Sequence, residues 1–154
     1  MNVLRNKRLY KIGRAANMLW CYFGKKTNPD ERNEFYLHVE CSWRLSYSNQ
    51  LTLTFRDMYY PHSKFDEDEE YDLDEIGSNR FDELTDVFNR KLNSTFTVKE
   101  IESDSFRGLK IVFTNGYLLE VFPDESINDS EVWRFIDKAA DKHLVVSGES
   151  IEYD

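Results

Sequence analysis

Glycine and proline are scarce, six and three in 154 residues. Low-complexity and collagen-like architectures are thereby excluded. The few glycines are scattered, so no Gly-rich loop can cradle a phosphate. Two cysteines, Cys21 and Cys41, make no disulfide framework, and reduced thiols in a soluble cytoplasmic protein are the plain expectation. No run approaches the roughly 18 apolar residues of a membrane-crossing helix. The basic start MNVLRNKRLYKIGRAANMLW lacks an apolar stretch with a cleavage site, so no signal peptide is expected. CxxC, HExxH and GxSxG are all missing, which removes the usual motifs of structural zinc, metalloproteases and nucleophile elbows. Neither a cofactor nor a metal is expected.

Aromatic residues are plentiful. Eleven Phe, nine Tyr and three Trp supply core enough for one domain spanning residues 1–154. Charge is abundant and uneven. Residues 1–64 carry eleven Lys/Arg against five Asp/Glu, and residues 65–154 carry nine against twenty-four. The net charge of −9 disfavours nucleic acid as a general partner, because phosphate repulsion precedes any contact. A local basic face from the first half is left open.

In HVECSWRL, residues 38–45, reactive side chains crowd together. The neighbouring Leu37, with Val39, Cys41, Trp43 and Leu45, alternates with His38, Glu40, Ser42 and Arg44. A period of two is a half-buried strand. Side chains two apart on one face lie about 6.6 Å from each other and four apart about 13 Å. His38 therefore cannot activate Ser42 directly, which takes about 3 Å. His38 and Cys41 point to opposite faces and cannot chelate one ion together. LTLTFRD, residues 51–57, alternates as well, across the turn-like SYSNQ. A register summing to 96 pairs Leu45 with Leu51, Trp43 with Leu53, Cys41 with Phe55 and Glu40 with Arg56; sums of 94 or 98 are the alternatives.

MLWCYFG, residues 18–24, is apolar on both faces and reads as strand or as the end of a helix. A faint repeat favours strand. Ile12, Leu19, Phe23 and Gly24 before Leu37-His38-Val39 are echoed by Ile101, Leu109, Phe113 and Gly116 before Leu119-Glu120-Val121. In the second copy Asn115-Gly116 between apolar runs signals a hairpin. FTVKEI, residues 96–101, and HLVVSG, residues 143–148, are further strands. Phe81, Leu84, Val87, Phe88 and Leu92 have helical spacing, with Ser78 or Asn79 as cap and Asp82 and Glu83 in the first turn. Asn128 and Glu131 have capping-box spacing before VWRFI, which predicts a short turn of helix there.

Between strand and helix lies an acidic run: Asp66, Glu67, Asp68, Glu69, Glu70, Asp72, Asp74 and Glu75. It lacks the glycine of an EF-hand loop and cannot bury enough to order itself, so residues 62–78 are expected to form a mobile acidic loop.

Other groups are candidates for binding. Trp-Arg occurs twice, as Trp43-Arg44 and Trp133-Arg134; each is a core anchor followed by an arginine serving an acid, or else a recognition spot. Glu120 points into the core if the Asn115-Gly116 loop holds two residues, and outward if it holds three. His38, Glu40, Arg44, Glu120, Trp133, Arg134 and His143 form the candidate binding set. No catalytic residue is assigned.

LHVECSWRL, DMYYP (57–61), FDEL (81–84), GYLLEVFPDES (116–126), EVWRF (131–135) and HLVVSG together resemble a family of small bacterial proteins of uncharacterised function. The family pattern reads closer to LHxQCPWR, so Glu40 and Ser42 depart from it. The resemblance implies a single α+β domain without established activity, and similarly built small proteins accompany bacterial toxins as immunity factors. The expectation is an antiparallel-β-rich α+β domain of two hairpin-like sheet blocks, with one helix near 80–92. Its leading role is a non-enzymatic acidic protein engaging a basic protein partner. The alternative is a small-molecule binder or enzyme with a pocket lined by His38, Arg44 and Arg134.

Overall fold

The computed structural model describes residues 2–26, 33–66, 69–127 and 130–153. Its strands are β1 (Leu9–Ala15), β2 (Met18–Lys26), β3 (Asn33–Val39), β4 (Ser42–Tyr47), β5 (Gln50–Thr54), β6 (Val98–Ser103), β7 (Leu109–Phe113), β8 (Tyr117–Phe122), β9 (Glu131–Asp137), β10 (Lys142–Ser147) and β11 (Ile151–Tyr153). One helix, α1 (Arg80–Lys91), interrupts them after a 3-10 turn at Phe55–Tyr59. The strands form two antiparallel sheets. Sheet I runs β1-β2-β3-β9-β10-β11 and sheet II runs β5-β4-β8-β7-β6. The fold is the expected antiparallel-rich α+β domain.

The repeat read in the sequence is a repeat of structure. Ile12 faces Cys21 and Leu19 faces Val39 in the first meander; Ile101 faces Ile111 and Leu109 faces Val121 in the second. Even the bulges correspond. Register slips between Leu9 and Lys11 in β1, and between Val98 and Glu100 in β6. Each meander then sends its next strand into the other sheet. β4 leaves β3 to pair with β8, and β9 leaves β8 to pair with β3. Trp43 thus faces Val121 and Trp133 faces Val39, while Arg44 faces Glu120 and Arg134 faces His38. The two Trp-Arg pairs are one feature written twice.

The exchange explains the opening stretch. HVECSWRL is two strands, one per sheet, joined by a corner at Glu40-Cys41. Alternation survives the corner: Leu37, Val39, Cys41, Trp43 and Leu45 are all buried. The inner faces of both sheets close on one core.

Several expectations are corrected. β4 and β5 pair with a sum of 98, one of the alternatives, up to Leu45 facing Leu53, and with 97 beyond an irregularity at Leu45-Ser46, rather than with 96. Leu51 is left exposed. Glu40 does not meet Arg56, because the corner removes Glu40 from β4 and Arg56 lies in the 3-10 turn; the Glu40 N–H donates to the Val132 carbonyl instead. No helix follows Glu131. β9 is hydrogen-bonded on both sides, and its backbone satisfies β3 and β10, which a helical turn would leave unpaired; Asn128 lies outside the described residues. The β7–β8 register sums to 230, which makes a three-residue loop with Gly116 at φ +88° and turns Glu120 outward.

The helix is capped by Asn79, whose side chain accepts the Asp82 N–H, and buries Phe81, Thr85 and Phe88. Val87, expected in its core stripe, is exposed. The helix closes one end of the core, with Phe81 edge-on to Trp43. The Asn89 amide also caps the free edge of β1, accepting from the Ile12 N–H at 3.0 Å and donating to the Ile12 carbonyl at 2.9 Å.

Candidate functional site

The acidic segment is a closed excursion. The Pro61–Asn79 bridge joins its two ends, and His62 N–H bonds Ser78 C=O while Arg80 N–H bonds Tyr60 C=O. A buried arginine organises its second half. Arg14 grips the Asp82 carboxylate with two nitrogens, at 2.9 and 2.8 Å, and donates to the Glu75 carbonyl at 2.7 Å. It also reaches the carbonyls of Ala16 and Asp74. Asn79 holds the Leu73 carbonyl, and the Gly77 N–H bonds Asp82 at 2.7 Å, with Gly77 in the left-handed region at φ +92°. Burial works against ionisation of Asp82, but the Arg14 guanidinium and the Gly77 N–H outweigh it and hold its carboxyl below the usual range.

With carbonyls gathered inward, the carboxylates face water. Asp66, Glu69, Glu70, Asp72, Asp74 and Glu75 are all exposed. Among the described residues none of these six has a Lys or Arg partner. Glu67 and Asp68 lie outside the described residues. Exposed apolar groups accompany the charge: Tyr71 and Ile76, 40% and 67% exposed, lie within or at the end of the run, and Tyr59 and Tyr60, 49% and 54% exposed, lie just before the excursion. Tyr71 also stacks on Phe65 at 5.4 Å.

The candidate binding set divides among three places. His38, Arg134 and His143 share the outer face of sheet I, with Glu131 gripped by Arg134 at 2.9 and 2.6 Å. Glu40 stands at the adjoining corner. Burial lowers the His38 pKa, against the pull of Glu131, and burial with Glu131 raises that of Glu40. Arg44 and Glu120 lie on the outer face of sheet II, joined at 2.6 Å, with the guanidinium 5.0 Å over Phe122. Glu120 and Phe122 border a shallow cavity of about 210 Å³ shared with Glu102, Asp104 and Lys110. A single pocket of His38, Arg44 and Arg134 therefore does not form: the exchanged strands carry the two arginines to opposite outer faces. Trp133 belongs to the core rather than a surface, its indole N–H donating to the Arg107 carbonyl at 2.8 Å.

His38 and Ser42 stand in different sheets, and the Ser42 hydroxyl bonds Asp124. Both thiols are buried, and burial pushes Cys41 up to about 12. Among the described residues no three His, Cys, Asp or Glu side chains converge on a metal position. No helix of the described residues is long and apolar enough to cross a membrane. Sequence reasoning missed Arg14, whose partners other than the Ala16 carbonyl are 60 or more residues away. It also missed Trp20, Tyr22 and Tyr36, whose even numbers beside buried Leu19, Cys21 and Leu37 were the available signal. Comparison with family models, curated proteins and solved structures found no match to this chain.

Proposed function

We propose that the protein is a non-enzymatic binding protein whose acidic face engages a basic protein surface. The observation behind this reading is the set of six exposed carboxylates that have no Lys or Arg partner among the described residues, accompanied by exposed Tyr71 and Ile76. Tyr71 stacks on Phe65 and Tyr59 packs on Phe55, yet each keeps a large part of its ring in water beside the charge, as does Tyr60. Carboxylates speed encounter with a cationic partner, and tyrosines supply the desolvated contact that retains it. A bacterial toxin with a cationic working surface fits the description, in keeping with the immunity-type resemblance. The setting is a bacterial cytoplasm, where both thiols stay reduced.

The test is co-purification from lysate of the source cells at low and high salt, beside a variant carrying Glu69→Gln, Glu70→Gln, Asp72→Asn and Asp74→Asn. A basic protein should be retained at low salt, released at high salt, and lost by the variant. An empty low-salt eluate, or equal retention by the variant, would sink the reading.

A further inference from the structure

We infer that the outer face of sheet I carries a second, separate site, built to bind an uncharged saccharide. The register sets three planar side chains abreast on adjacent strands: Trp20 on β2, His38 on β3 and Arg134 on β9. Tyr22 and Tyr36 form the next row. The Trp20 and Tyr22 rings stack at 4.4 Å with 20° between planes, and Tyr22 meets Tyr36 edge-on at 4.7 Å. Trp20, Tyr22, His38 and Arg134 are partly exposed, above a buried Tyr36.

The internal repeat supplies a control. Positions equivalent to Trp20, Tyr22 and Tyr36 in sheet II are Lys110, Val112 and Leu118. At those three positions the same frame is built without a ring, so the aromatic array is not a requirement of the strands. Gly13 adds a second sign. It sits mid-strand opposite Trp20, and a Cβ at that position would fall 2.1 Å from the indole. A glycine inside a strand weakens it. Here it makes room for the indole, where the other copy has Glu102.

The charges select the ligand class. Arg134 is matched by Glu131, and Lys7, near the β2–β3 end, by Glu34. Lys11 and Lys138 stand over rings rather than acids, and on a chain of net −9 two such lysines do not make a polyanion site. Sugar rings present C–H faces that lie on aromatic surfaces, and hydroxyls that need both donors and acceptors. A neutral imidazole at His38 offers one of each, and the Arg134–Glu131 pair offers both. The ammonium groups of Lys11 and Lys138, each 5.9 Å from the Trp20 and Tyr36 centroids, are flexible covers that a bound ring displaces.

Trp20 is the reporter, since Trp43 and Trp133 are buried. The full chain is titrated with neutral hexasaccharides (cello-, xylo-, malto- and N-acetylchito-) by tryptophan fluorescence and calorimetry, with heparin and oligo(U) as polyanion controls. At least one neutral sugar should bind. Trp20→Ala and His38→Ala should each weaken it by about tenfold or more, the stacking contribution expected of one ring. Lys110→Ala and Arg44→Ala, on the other sheet, should leave it unchanged. Thermal melts identify a variant that fails to fold, and the remaining variant then decides. Absence of binding to all four sugars overturns the inference. So does preference for the polyanions, retention of affinity by both Trp20→Ala and His38→Ala, or Trp20-dependent self-association in its place.

Discussion

Trp43 and Trp133 hold equivalent places in the two halves, yet only Trp133 finds a partner for its indole N–H. The carbonyl that serves Trp133 comes from Arg107, in the long β6–β7 connection. The matching β1–β2 connection is only Ala16 and Asn17, and the Ala16 carbonyl is taken by Arg14. Replacing each tryptophan by phenylalanine separates the two. Trp133→Phe leaves the Arg107 carbonyl without its donor and should lose about 1–2 kcal/mol more than Trp43→Phe. Urea denaturation of the two variants measures the difference.

Arg14, itself buried, satisfies a partly buried carboxylate and several carbonyls at once. Arg14→Ala should destabilise by about 3–5 kcal/mol, the usual effect of stranding a buried partner. Asp82 gives this a pH signature. Its folded-state pKa is depressed below the unfolded value near 3.9. Its contribution is therefore present above pH about 4 and is lost as pH falls through the lower folded value. Asp82→Asn should flatten the acid limb of the stability curve, as measured by denaturation between pH 2 and 6.

Asn89 acts as a substitute strand for the edge of β1. Asn89→Ala should cost about 1–3 kcal/mol and expose the Ile12 amide to exchange. Asn89→Asp keeps the acceptor but sets a carboxylate oxygen against the Ile12 carbonyl, so it should be no better than alanine. Hydrogen exchange at Ile12 distinguishes an edge effect from global loosening.

The acidic run should be nearly silent in stability, because its carboxylates have no basic partners among the described residues. Glu69→Gln with Glu70→Gln should change the unfolding free energy by no more than about 0.5 kcal/mol. A large loss would mean that these groups hold the fold rather than face a partner.

Cys21 and Ile111 are equivalent core positions, and Cys21 borders a small apolar void shared with Leu19, Trp43 and Leu45. Cys21→Val should raise stability by about 0.5–1 kcal/mol by filling it. The urea midpoint should rise without a change in slope.

Local patterning revealed which side chains turn inward and little about which strands meet. Alternation from Leu37 to Leu45 predicts burial correctly on both sides of the corner, because parity runs through Glu40 and Cys41 unbroken. The corner itself carries neither glycine nor proline and so leaves no mark. Arg44 finds Glu120 across 76 residues, a pairing that only the exchange of strands creates. Helix α1 was legible because its cap, first-turn acids and apolar stripe all agree. The helix expected after Glu131 rested on two spaced residues alone, and the two neighbouring strands of β9 outweighed them. His38 and Arg134 drew notice for their chemistry. The rings beside them did not, since an aromatic in a strand reads as core until its parity is checked.

Because each half lends a strand to the other's sheet, neither half is complete by itself. Two copies of a chain half this long, trading arms, would build much the same frame, and their shared surfaces would have to stay alike. Joining the copies in one gene removes the dilution penalty of such a pair. It also frees the two exteriors from having to match, and here they differ: aromatic rings predominate on one flank and ion pairs on the other.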